Sequence, residues 1–151
     1  MRTAALTLVL VGLACSNAHA RENCGHDVSG APRTEQTTVG DQFAVLHYVS
    51  PSTLIMDDPK DPRHRMIGEC RGQAISTKGV TVWDGACVYK TQDGDTYYST
   101  WSARPGDTGA EKRDALHGTA VLHASGRFAN FDNRKVKWTG LANGGSYFCT
   151  E

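Results

Sequence analysis

The chain has 151 residues, with 16 Lys and Arg balanced by 16 Asp and Glu. That balance leaves no electrostatic footprint for nucleic acid or an anionic lipid surface, and the length suits one domain with its own core. Beyond the N-terminal residues no segment approaches the roughly 20 apolar residues a membrane-spanning helix needs, so no membrane span is expected.

Arg2, the apolar run Ala4 to Ala14 and the A-x-A site Ala18-His19-Ala20 read as a signal peptide over residues 1–20, cleaved after Ala20. Cys15 would mark a lipid anchor, but Gly12 stands where a lipobox wants a large aliphatic residue. Residues 21–151 are then one domain in the periplasm or outside the cell. Its four cysteines are Cys24, Cys70, Cys87 and Cys149, an even number that favours disulfides in an exported chain and allows three pairings.

Residues 21–41 carry Gly, Pro, Ser and Thr with little apolar content and read as an irregular N-terminal arm. Asp41 to Ser50 alternates, with Phe43, Val45 and Val49 on one side and Leu46 and Tyr48 on the other, which is a strand signal. Pro51 to Arg65 contains three prolines and reads as a surface loop with an acidic tip of Asp57, Asp58 and Asp61. The tip lacks the spacing and the bidentate glutamate of a calcium loop.

Met66–Ser76, Val80–Lys90 and Asp95–Ala103 read as three strands. Lys78-Gly79 is a two-residue hairpin turn, and counting outward from it sets Cys70 opposite Cys87 as a non-hydrogen-bonded pair, within disulfide reach. A three-residue loop with a glycine bulge would shift this register by one. Cys24 with Cys149 follows by elimination and ties the two ends of the domain together. Asp93-Gly94 reads as the next two-residue turn and sets Tyr89 opposite Tyr98. The expected interior face carries Gly68, Cys70, Gly72 and Ala74, then Trp83, Gly85, Cys87 and Tyr89, then Tyr98 and Thr100. Glu69, Arg71, Gln73, Asp84 and Lys90 face outward with Val82, Val88 and Trp101.

Arg104 to Asp114 is a polar loop, Leu116–Ala124 a strand, Ser125-Gly126 a turn and Arg127–Phe131 a short strand or bulged segment. Val136–Leu141 and Ser146–Cys149 complete the set. Seven or eight short strands with glycine-rich turns define an all-β class. The expected architecture is a single disulfide-stapled antiparallel barrel of about eight strands, with a β-sandwich as second choice.

His117-Gly118-Thr119-Ala120, Ser125-Gly126-Arg127-Phe128-Ala129-Asn130-Phe131 and Lys137-Trp138-Thr139-Gly140 together resemble a pattern in small exported bacterial β-barrels. These are similar to the calycin-like barrels of allene oxide cyclases and dirigent proteins. The likeness covers the C-terminal third and consists of turn and packing residues. It implies a fold, and by analogy a cyclase or isomerase activity, and brings no active-site residue with it.

No nucleophile elbow, zincin, phosphate-loop or dinucleotide motif occurs, and no C-x-x-C. No catalytic residue, metal ligand set or cofactor is therefore assigned. His117 and His123 fall on one face of one strand but about 20 Å apart, too far for one metal ion. Trp83, Tyr89 and Tyr98 on the expected inner face, with His47, are the candidate ligand-binding residues, since aromatic bodies with polar tips line small-molecule cavities. The expectation is a non-catalytic barrel that binds a small apolar ligand or an extracytoplasmic partner protein. The alternatives are a cyclase or isomerase, and an inhibitor of a secreted hydrolase that presents residues 51–65 or 104–114.

Overall fold

The computed structural model describes residues 23–104, 116–141 and 145–151. The signal peptide read over residues 1–20 lies outside the described residues, as does most of the 104–114 loop. Nine strands follow in order: β1 (Cys24–Ser29), β2 (Arg33–Val39), β3 (Phe43–Met56), β4 (Ile67–Thr77), β5 (Val80–Lys90), β6 (Thr96–Ala103), β7 (His117–Ala124), β8 (Lys135–Gly140) and β9 (Ser146–Thr150). Neighbours pair antiparallel from β3 through β9, and β1 pairs with both β9 and β3. The ring is thereby a closed eight-stranded barrel, and β2 is one extra strand laid along the first half of β3.

Closure depends on the stretch read as an irregular arm, which instead forms β1 and β2. In β1 the residues turned into the barrel are Gly25, Asp27 and Ser29, while His26 and Val28 face out. The pattern is polar inside, the reverse of an ordinary half-buried strand, so hydrophobic alternation does not reveal it. All seven residues of β2 are exposed, so that strand has no apolar face to show.

Residues 51–56, expected to be loop, are the second half of β3. Pro51 sits where the neighbour of β3 changes from β2 to β1: Arg33 pairs with Val49, and Ser29 with Ser52. Along an antiparallel strand, the N–H and C=O of one residue point to the same side. The carbonyl of Pro51 accepts from the N–H of Gly30 at 2.8 Å, so the missing N–H faces the gap between β1 and β2, where no ladder bond is required.

The β4–β5 hairpin has the expected register. Lys78 and Gly79 take φ of 52° and 81°, Thr77 pairs with Val80, and Cys70 pairs with Cys87. The β5–β6 register differs from expectation by one residue. The turn is a glycine-bulge loop: Gly94 N–H donates to Thr91 C=O, Thr91 N–H donates to Asp95 C=O, and Gly94 has φ 90°. Tyr89 therefore pairs with Tyr97, and Gly85 with Trp101. Tyr97 and Trp101 turn inward; Tyr98 and Thr100, expected inside, turn outward.

Both cysteine pairs are at bonding distance and each joins directly opposed residues, Cys24 with Cys149 and Cys70 with Cys87. The first lies on the outer wall where β1 starts and β9 ends, and the second lies inside the barrel. Residues 126–131 form a 3-10 helix rather than a strand, and fold Phe128 and Phe131 into the same end of the barrel that the first disulfide ties.

That end is closed. The loop after β3 folds back over the opening, and Arg63 enters the core with no exposure to solvent. Its guanidinium binds Asp61 through Nε at 2.9 Å and Nη2 at 2.6 Å, and lies 3.8 Å from the centre of the Phe131 ring. A buried charge requires both a counter-charge and filled hydrogen bonds, and this loop supplies Asp61 two residues away. The acidic loop thus plugs the barrel; it is not a free surface tip. Met56, Met66, Leu122, Phe128, Phe131 and Val136 form the core around the plug.

Candidate ligand-binding site

Above the plug the barrel is hollow. A cavity of about 500 Å³ opens toward the end where β1, β4, β6 and β8 finish. Its upper wall is aromatic: Trp83, Trp101, Trp138 and Tyr48. These include every tryptophan of the chain, which has three. Glycines on facing positions make room for the rings. A Cβ on Gly72 would lie 2.9 Å from Cζ2 of Trp101 and 2.8 Å from Cε1 of Tyr48, so no larger residue fits there without displacing a ring. The Tyr48 and Trp101 rings stack at 6.2 Å, and Trp101 meets Trp138 edge-on at 5.7 Å, giving a continuous aromatic surface across three parts of the wall.

Deeper in, the lining turns polar at one place. Asp27 of β1 is only 9 % exposed, and its carboxylate meets two hydroxyls and the inner disulfide. Ser52 Oγ donates to Asp27 Oδ1, and Tyr89 O–H donates to Asp27 Oδ2 at 3.0 Å. The two hydroxyl oxygens are 2.9 Å apart, and Cys70 Sγ lies 3.4 Å from Asp27 Oδ2. Burial raises the carboxyl above its ordinary value, against the pull of the Ser52 and Tyr89 hydrogen bonds, which favour the ionised form. Tyr89 is raised well above a normal phenol by burial and by the adjacent carboxylate, and so remains a neutral donor. Tyr48 is raised by the same two causes, burial and the Asp27 charge.

Among the described residues, Asp27, Cys70 and Cys87 are the one group of potential metal ligands within 4.8 Å of one another. Both sulfurs are bonded to each other, so the group offers one carboxylate and no thiolate. None of the described residues lining the cavity is a Lys, Arg or His. The nearest cation below, Arg63, is held by Asp61 on the far side of Tyr97.

Of the residues singled out from sequence, Trp83 and Tyr89 line the cavity. Tyr98 does not: it is 40 % exposed on the outer wall, stacked on His123 at 4.7 Å, while Tyr97 takes the inner position. The one-residue shift at the Gly94 bulge moved it. His47 also faces outward, because Leu46 and Tyr48 hold the inward positions on either side of it. His117 lies against Thr139 and His123 against Thr100, both on the outer wall. Asp27, Ser52, Trp101 and Trp138 were not singled out. Asp27 and Ser52 sit in stretches read as irregular, and the face of Trp101 depended on the bulge.

Compared with protein-family models, curated proteins and solved structures, the chain matches none. The likeness to calycin-like barrels therefore rests on the C-terminal residues that carry it. No helix among the described residues is long and apolar enough to cross a membrane. The two disulfides are compatible with an extracytoplasmic location.

Proposed function

We propose that the protein is an exported, non-catalytic β-barrel that binds a small, mainly apolar molecule in its lumen. The observation that carries this reading is the cavity of about 500 Å³, walled by three tryptophans and open at one end while the other is plugged. A barrel of eight strands can be filled by its own side chains, and this one packs only its lower half in that way. The volume suits one small ligand, and the lining has the composition of such sites, apolar and aromatic with a single polar cluster. The A-x-A site at Ala18-His19-Ala20 and the paired cysteines support export.

All three tryptophans line the lumen, so intrinsic fluorescence reports on it without labelling. Titration with 1-decanol is expected to shift tryptophan emission saturably. Ser99→Phe, which fills the cavity from the β6 wall, should abolish the shift with the far-ultraviolet spectrum of the fold unchanged. A non-saturating response, or one that survives Ser99→Phe, would refute lumen binding.

One observation favours a second reading, a cyclase or isomerase: Asp27 is a buried carboxyl of raised pKa within a cavity, the environment in which a general acid or base works near neutral pH. Turnover of a bound molecule, lost in Asp27→Asn with binding retained, would establish it over the carrier. The inhibitor reading loses one of its two candidate segments, while most of the other, 104–114, lies outside the described residues. Residues 51–56 are barrel wall, and the loop beyond them is anchored through Arg63.

A further inference from the structure

We infer that the molecule this lumen accepts carries a protonated amine on an otherwise apolar body, with Asp27 as its counter-charge. The inference rests on the reading of the lumen as a ligand site and specifies the chemistry of the occupant.

The argument starts from the way Asp27 is satisfied. A carboxylate offers about four acceptor positions. Ser52 and Tyr89 each supply one hydroxyl donor, and neither carries charge. The inner disulfide beside it offers no strong donor. No cationic side chain lines the cavity among the described residues, so the chain there provides hydrogen bonds without neutralisation. An ammonium group brings three donors and a full positive charge, and matches both deficits at once.

The wall above the carboxylate favours the same group. The faces of Trp and Tyr attract a cation through the ring quadrupole, most strongly where water is excluded. Tyr48, Trp101 and Trp138 form a connected aromatic surface lining the same cavity as Asp27. An anionic head at this depth would meet Asp27 as a like charge. A neutral hydroxyl would fill one acceptor position and leave the charge unmatched.

Three titratable groups face Asp27 across the lumen: Tyr48 of β3, Tyr89 of β5 and, deeper, Tyr97 of β6. Burial raises all three, so they stay neutral over the working range. The facing residues of β9, Ser146 and Phe148, do not titrate. Arg63, beyond Tyr97, is paired with Asp61. The pH dependence of amine binding is therefore that of Asp27: affinity falls as pH drops through its raised value, and binding there releases a fraction of a proton to solvent, approaching one as pH falls below that value.

The test compares 1-aminodecane, 1-decanol and decanoate on the disulfide-bonded protein, read by tryptophan emission and calorimetry. At neutral pH the amine is expected to bind at least tenfold more tightly than the alcohol, with decanoate weakest. Asp27→Asn should bring amine and alcohol within about twofold of each other. If the variant does not fold, the wild type still decides, through the loss of amine affinity at acid pH and the proton released in buffers of different ionisation enthalpy. Saturable alcohol binding with no preference for the amine would overturn the inference and leave the lumen site standing. An amine preference that persists in Asp27→Asn, or that is independent of pH, would also overturn it. Failure of all three compounds to bind would remove the lumen reading itself, and the inference with it.

Discussion

The two ends of this barrel each bury a carboxylate, and they treat it in opposite ways. At the closed end the Asp61 side chain is 9 % exposed, and burial alone would raise its pKa. The Arg63 hydrogen bonds and charge outweigh that, and the carboxyl is held below its usual value. In the lumen Asp27 has only neutral hydroxyls as hydrogen-bond donors, so desolvation prevails and its carboxyl is raised. The closed end completes its charge pairing within one loop; in the lumen no described residue lining the cavity carries a charge opposite to that of Asp27. A fold that needed only stability would place no carboxylate there, and this contrast is the reason for reading Asp27 as a contact for something that enters.

The contrast can be broken first at the closed end. Cys24→Ser with Cys149→Ser opens a link between residues 125 apart, and a loss of about 5 kcal/mol is expected from chain entropy, read as a lower urea midpoint. Opening Cys70–Cys87, which spans 17 residues, should cost less, about 3 kcal/mol, and should also alter ligand binding, because this staple forms part of the lumen wall. Arg63→Met removes the charge that offsets Asp61 and the cation over Phe131. A loss of about 3 kcal/mol is expected in urea unfolding, at the low end for a broken buried pair because Asp61 can turn toward water.

The pH dependence of stability sharpens the comparison further. For Asp61 the lowered carboxyl stabilises the fold above the unfolded value of about 3.9, and that contribution is lost as pH falls through the lower folded value. For Asp27 the sign reverses. Between about 3.9 and its raised folded value the native state holds the extra proton, so stability declines as pH rises through that window. Asp27→Asn is therefore expected to raise the neutral-pH urea midpoint and flatten the acid-side decline, and Asp61→Asn to lower it. The difference in urea midpoint between wild type and each variant, measured across pH, would show slopes of opposite sign for the two carboxyls, and equal signs would refute the assignment. The smallest effect concerns the outer wall. Tyr98→Ala removes an exposed ring stacked on His123 and should change stability by about 0.5 kcal/mol or less and leave ligand binding unchanged, whereas Tyr97→Ala should cost about 3–5 kcal/mol.

The all-β class, the β4–β5 register and the Cys70–Cys87 pairing were legible because they depend on local rules, and Cys24–Cys149 then followed by elimination. A Lys-Gly turn with two left-handed residues fixes its hairpin, and a fixed hairpin sets Cys70 against Cys87. Trp83 and Tyr89 were placed correctly by the same hairpin. One residue of bulge at Gly94 was enough to exchange the faces of Tyr97 and Tyr98 and to hide Trp101, because side-chain direction in a strand has a period of two. The strand that closes the barrel, β1, carries no inward apolar pattern, and its partners β3 and β9 lie further along the chain; β2, a hairpin neighbour of β3, has no buried face at all. Only closure brings Asp27 of β1 beside Ser52 of β3 and Tyr89 of β5. The sequence by itself determined the all-β class and the β4–β5 hairpin with its Cys70–Cys87 staple, through turn chemistry and alternation. Tertiary structure decided which faces meet across the lumen, because that depends on pairings between distant segments that leave no local trace.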